Sequence, residues 1–229
     1  MRALLLTLPV LALSACASDG VTLQDIMAGA QLAASGGVAG VDTDVAKAPA
    51  GAYRMDSSHA NVTWRVSHLG LAMYTGRFDR MSGTLNFNPQ DPTASSIDAA
   101  IEAGSVSTRH RDPQGQASFD AKIAKDAFGA DAHPTIRFVS TGATRAAGNT
   151  GTVTGNLTLN GVTKPITLNV TYNGGRVHPF SKAYVIGFSA HTTIKRSAFG
   201  VDDWAVAVGD DTQILIEAEF IHQPATQGQ

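Results

Sequence analysis

Along most of the chain after Gly51, apolar and polar residues take turns. In "NVTWRVSH", Val62, Trp64 and Val66 alternate with Thr63, Arg65 and Ser67. A period of two belongs to a strand with one buried face. The rhythm returns in "GTLNFN" (Leu85, Phe87), in "SIDAAIEAGSV" (Ile97, Ala99, Ile101, Ala103) and in "TIRFVS" (Ile136, Phe138). "YVIGFSAHTTI" carries Phe188, and "TQILIEAEFIH" sets Ile214, Ile216, Ala218 and Phe220 against Glu217 and Glu219.

The clearest piece is "GTVTGNLTLNGVTKPITLNVTY". Val153, Leu157 and Leu159 lead into Asn160-Gly161, and Ile166, Leu168, Val170 and Tyr172 lead out. Asn-Gly tolerates the positive φ of a tight primed turn, so this segment predicts a hairpin. One interval is helical instead: in "SFDAKIAKDAFG", Phe119, Ile123 and Phe128 recur at helical spacing. The expectation is an all-β, antiparallel fold of about eight strands with one short helix. Such strands resolve their edges by closing into a barrel or packing as a sandwich. Whether the shared apolar face is a packed core or the lining of a ligand cavity stays open, because spacing does not reveal empty space.

The first fifty residues follow another grammar. Arg2 precedes an apolar run from Ala3 to Leu13, about 11 residues, too short to cross a hydrocarbon layer of roughly 30 Å and of signal-peptide length. Leu13-Ser14-Ala15 then meets Cys16, the single cysteine of the chain. This stretch resembles a bacterial lipoprotein signal, in which the cysteine sulfur is acylated and becomes the new N-terminus. An ordinary signal peptide with an incidental cysteine is the alternative. Ala17 in place of Asp favours outer- over inner-membrane sorting. The expected organisation is a signal peptide over 1–15, a flexible tether over 16–50 with a weak helix in "TLQDIMAGAQLAA", a barrel domain over 51–222 and a disordered tail over 223–229. The expected location is the bacterial periplasm, lipid-anchored at Cys16.

Composition narrows the chemistry. The 229 residues carry 17 basic and 19 acidic side chains, net −2, with no basic cluster to read nucleic acid. One cysteine excludes an internal disulfide and any multi-cysteine metal site. The seven histidines form no HExxH pair, so no metal or cofactor is expected. "GFSAH" lacks the second glycine of a nucleophile elbow, and "GVDDW" and "GDD" are too sparse for a calcium loop. No set of groups converges on a reaction, so the expectation is not an enzyme.

Seven blocks point to a family: "YRMDSSHANVTWRVSHLGL", "TGRFDRMSGTLNFNP", "SVSTRHRD", "HPTIRFVST", "GNLTLNGVTKPITLNV", "IGFSAHTTIKRSAFG" and the last strand. In order and spacing they resemble the YceI-like family of bacterial periplasmic proteins, from Ala52 to Ile221. The most specific are "LTLNGVTKP" and "IKRSAFG". The segment "PQGQASFDAKIAKDAFGADAHP" departs from the family pattern, which leaves the lid over one barrel end undefined.

The resemblance implies an extended lipocalin-like barrel that holds a polyisoprenoid, such as a quinone tail, and no catalytic residue. The ligand would lie against Val62, Trp64, Val66 and Phe78, against Leu85, Phe87, Ile101 and Phe138, and against Leu157, Leu168, Phe188 and Ile216. His68, Arg109, Asp112 and Arg196 are candidates for the mouth, as head-group contacts or as an Arg–carboxylate pin between loops. The implied partners are an isoprenoid or quinone-like lipid and, through the anchor, a membrane; a homodimer is left open. The alternatives are a structural or stress-related envelope protein with a filled barrel and a lipid-acting enzyme.

Overall fold

The structure is a computed structural model, and it describes residues 40–224. The signal, Cys16 and the weak helix near Thr22 lie outside the described residues. The hairpin shows how the sequence sets the fold. Asn160 and Gly161 adopt φ of 50° and 75°, and Leu159 pairs directly with Val162 around them. A two-residue turn with both φ positive twists with its strands, so the register of the arms β7 (Thr150–Leu159) and β8 (Val162–Val177) is fixed there. A side chain at Gly161 would also meet the His133 ring, whose nearest atom lies 2.6 Å from the position a Cβ would take.

From β8 the chain passes antiparallel into β9 (Tyr184–Lys195) and β10 (Val208–Gln223). β10 then pairs along almost the whole of the first strand, β1 (Gly51–His68), which closes the sheet on itself. The other side of β1 is shared. Its second half pairs with β2 (Ala72–Phe78) and its first few residues with β3 (Met81–Phe87). β2 and β3 are thus one stave broken at Asp79-Arg80. β4 (Ser96–Glu102) and β5 (Val106–Ser107) form the next broken stave, and β6 (Thr135–Arg145) joins β4 to β7. Ten strands therefore make eight staves of an antiparallel barrel closed through the β10–β1 pairing.

The barrel has two unlike ends. At one end, the helix α1 (Ser118–Asp126) packs across the strands. Ile123 and Ala124 are buried there. The helix is held by Asp120, a buried carboxylate that accepts from the Thr108 amide at 3.0 Å and the Thr108 hydroxyl at 2.5 Å. At the far end, the chain from Asp42 onward lies on the barrel rather than forming tether. Asp42 exchanges backbone hydrogen bonds with Gly175, a short 3-10 turn runs over Val45–Lys47, and Ala48 is buried. Residues 42–50 of the expected tether are therefore held on the barrel, and the stretch 16–39 lies outside the described residues. The Tyr53 hydroxyl donates to the Pro49 carbonyl at 2.6 Å and clamps this entry segment. β10 runs through Gln223, one residue into the expected tail.

Candidate functional site: an apolar cavity inside the barrel

In a closed barrel the inward positions of all staves face one volume. Here that volume is not filled. A cavity of about 860 Å³ runs between Asn88, Ser95 and Arg145 at the far end and His110, Phe119 and Trp204 under the helix. Two aromatic groups line its halves. Under the helix, the Trp64 ring lies 5.9 Å from Phe128, Phe78 lies 4.9 Å from Phe128, and Tyr74 lies 6.4 Å from Phe119. Toward the far end, Phe188 stands edge-on to Phe87 at 5.8 Å and to Tyr172 at 5.5 Å. Between them the wall is aliphatic, with Ile101, Leu157 and Ile216 among its members.

Each side chain is placed by local sequence logic. Trp64 pairs across β1–β2 with Gly76, and a Cβ there would fall 2.2 Å from the indole. The missing side chain is what lets the ring lie flat on its neighbour strand. Burial makes ionisation of Tyr53 and Tyr172 unfavourable, and both phenols titrate well above the ordinary tyrosine value. These two groups are neutral at any physiological pH, so they add no charge on the far-end side of the barrel.

The structure brings together all twelve residues expected to face a ligand. Val62, Trp64, Val66, Phe78, Leu85 and Phe87 line the cavity, as do Ile101, Phe138, Leu157, Leu168, Phe188 and Ile216. The four mouth candidates divide. His68 and Arg196 border the cavity under the helix; Arg109 and Asp112 do not border it at all. Arg109 sits exposed in a left-handed backbone position, φ 62°, and Asp112 organises its own loop. Its carboxylate accepts from the Gln114 and Gln116 amides and the Ser118 hydroxyl, which holds its pKa below the ordinary value, the Ser118 bond most of all.

Arg196 pins a loop, but through carbonyls rather than a carboxylate. It is buried, and it donates to the carbonyls of Val201 (2.6 Å), Asp203 (2.8 Å), Gly209 (2.9 Å) and Val208 (3.0 Å). Four of its five N–H groups are committed to backbone. It shapes the cavity floor and has little left for a ligand.

Sequence reasoning missed the helix-end lining. Phe119 and Phe128 show helical spacing but no barrel-facing parity, and Trp204 stands in a loop at φ 56°. It also missed Arg145 and Asn149, which flank the β6–β7 turn at the far end. Among the described residues, one ligand-type cluster lies outside the cavity, where β1 bulges between Met55 and Ala60 opposite Glu219. The Asp56 carboxylate there accepts from the Ser58 amide and hydroxyl and meets His59 Nδ1 at 3.0 Å. These bonds, the one from the Ser58 hydroxyl first, hold its pKa near about 2, and the Asp56 bond raises that of His59.

Comparison with known proteins places this geometry. The YceI-like domain model matches residues 53–220. A UPF0312 protein of Pseudomonas aeruginosa is 32% identical over 181 residues, 77% of this chain and 90% of its own length. A UPF0312 protein of Pseudomonas putida is 34% identical over 158 residues, 68% of this chain and 79% of its own. Among solved structures, BcnA of Burkholderia cenocepacia superposes with a TM-score of 0.62 at 26% identity, over 72% of this chain and 98% of its own. A polyisoprenoid-binding domain from Saccharophagus degradans shares the fold alone, with a TM-score of 0.55 at 16% identity over 75% of this chain and 98% of its own. The chain belongs to the YceI-like domain family.

Proposed function

We propose that this protein binds a long-chain isoprenoid lipid inside the barrel and keeps it out of water in the bacterial cell envelope. The observation that carries the reading is the cavity itself: about 860 Å³, long, and walled almost entirely by hydrocarbon and aromatic rings. A filled-barrel structural protein would not leave such a space, because interiors otherwise pack to crystal-like density. At about 30 Å³ per heavy atom, the share of a molecule in liquid water, 860 Å³ admits roughly 29 heavy atoms, or five to six five-carbon isoprene units. Each unit would gain up to about 4 kcal/mol on burial, at ~0.8 kcal/mol per methylene. A few units at that rate exceed the affinity any complex reaches, so chain ordering and the lipid's own comfort in a bilayer offset most of it. The barrel then exchanges lipid with membranes instead of trapping it.

The fold of the Saccharophagus degradans polyisoprenoid-binding domain supports the same ligand class. The Cys16 sequence supports a lipid anchor that keeps the barrel beside its source membrane. Both tryptophans of the chain, Trp64 and Trp204, line the cavity. Titration with a long-tailed quinone should therefore quench intrinsic fluorescence and saturate at one quinone per chain. Unsaturable quenching, equal to that of a denatured control, would count against an internal site.

A further inference from the structure

Two arginines border the cavity, one at each end, and they are not equivalent. Arg196, under the helix, is buried and spends four N–H groups on backbone carbonyls. Arg145, at the last position of β6, is exposed. It reaches across the opening to the carbonyl of Pro89, 56 residues away in sequence, through a single Nη2 bond. Among the described residues no carboxylate pairs with it. It therefore keeps four N–H donors and a full positive charge at the rim.

Its surroundings are donors as well. Asn149 borders the same opening, and among the described residues its side chain has no protein partner. Asn88 uses its carbonyl oxygen to accept from the Gln90 and Asp91 amides, which leaves its NH₂ group uncommitted at the rim. Asp91, in the turn after Asn88, directs its carboxylate onto the Thr93 amide and hydroxyl. Beside Arg145 the lining residues Val153, Leu168 and Val170 are half-buried and Arg145 itself is exposed, so the cavity reaches the surface there.

We propose that Arg145, with Asn149 and Asn88, forms a head-group site selective for an anionic head, a phosphate or diphosphate ester, on an isoprenoid that enters tail first toward the helix. This rests on the lipid-binding reading above. A planar guanidinium with free N–H groups matches phosphate oxygens two at a time, and a neutral alcohol offers it no charge. The capacity of roughly five to six isoprene units, at about 30 Å³ per heavy atom, keeps such a head at the rim and out of the apolar interior.

The test compares hexaprenyl phosphate with hexaprenol, each competing against a fluorescent isoprenoid, in wild type, Arg145→Gln and Arg145→Lys. Wild type should prefer the phosphate by about tenfold at low salt, and Arg145→Gln should erase that preference, with the loss falling far more on the phosphate than on the alcohol. Arg145→Lys should keep part of it. Thermal melting of the variants, expected unchanged for an exposed rim residue, shows that the fold survives. An equal affinity of wild type for both lipids, or a preference that persists in Arg145→Gln, would overturn the head-group site while the barrel still binds isoprenoids. Failure of both lipids to displace the probe would overturn the lipid-binding reading and this site with it.

Discussion

The Arg196 guanidinium donates to the Val201 carbonyl at 2.6 Å and so closes the loop that follows β9 onto its own base. Three further carbonyls share the same group. Arg196→Met keeps the stem and removes the donors, leaving four carbonyls to find water. Urea unfolding should show a loss of at least about 2 kcal/mol. Arg196→Lys should recover little, because a point charge cannot span four acceptors in a fan.

Cavity and core respond to substitution in opposite ways. Phe199 is 2% exposed and packs outside the cavity, so Phe199→Ala should lose about 3–5 kcal/mol by opening a new void. Leu168 is half-buried against space that already exists, and Leu168→Ala should lose clearly less. Denaturation of the two variants side by side checks the contrast.

The β7–β8 turn has two demands on Gly161, a φ of 75° and clearance from the His133 ring. Gly161→Val fails both and should lower stability by about 1–3 kcal/mol. Gly161→Asn, which tolerates the left-handed region, should relieve the backbone part only. Melting temperatures of the pair separate strain from clash.

The Asp56–His59 contact at the β1 bulge sets a pH window. The Asp56 pKa is depressed to about 2, so its stabilisation is complete above about pH 4, where the unfolded carboxyl is ionised, and fades as pH falls toward 2. His59 is raised, so its share is complete below about pH 6.5 and fades as pH rises through its folded value. The melting difference between wild type and Asp56→Asn should be widest from about pH 4 to 6.5. Both groups are partly exposed, so it should stay within about 4 °C. A difference constant from pH 2 to 9 would contradict the assignment.

Period-two alternation exposed most staves because each has one wet and one apolar face. It hid β2, where the inward position that alternation needs is Gly76, vacated for the Trp64 ring. The alternation in "SIDAAIEAGSV" ran on through Ala103, whereas a 3-10 turn over Ala103–Ser105 breaks that stave between β4 and β5. All the interior positions but Phe78, which lies on the hidden β2, were legible from parity. The space between them was not, because a packed core and a cavity wall use the same residues. Trp204 and Arg145 reach the cavity from a loop and a strand end, where no period operates. Asp112 and Arg109 sit near the rim in sequence, but their loop folds onto itself.

The central claim is that the barrel interior holds a lipid, and the most direct measurement is the lipid that leaves with the purified protein. Organic extraction and mass spectrometry of the full-length protein should yield about one isoprenoid per chain. Ala99 lines the cavity between β3 and β6, and Ala99→Trp should fill it, leaving a folded barrel that carries little or no lipid. A wild-type protein free of isoprenoid and unable to take one up from vesicles, together with an Ala99→Trp variant that cannot fold, would contradict the account.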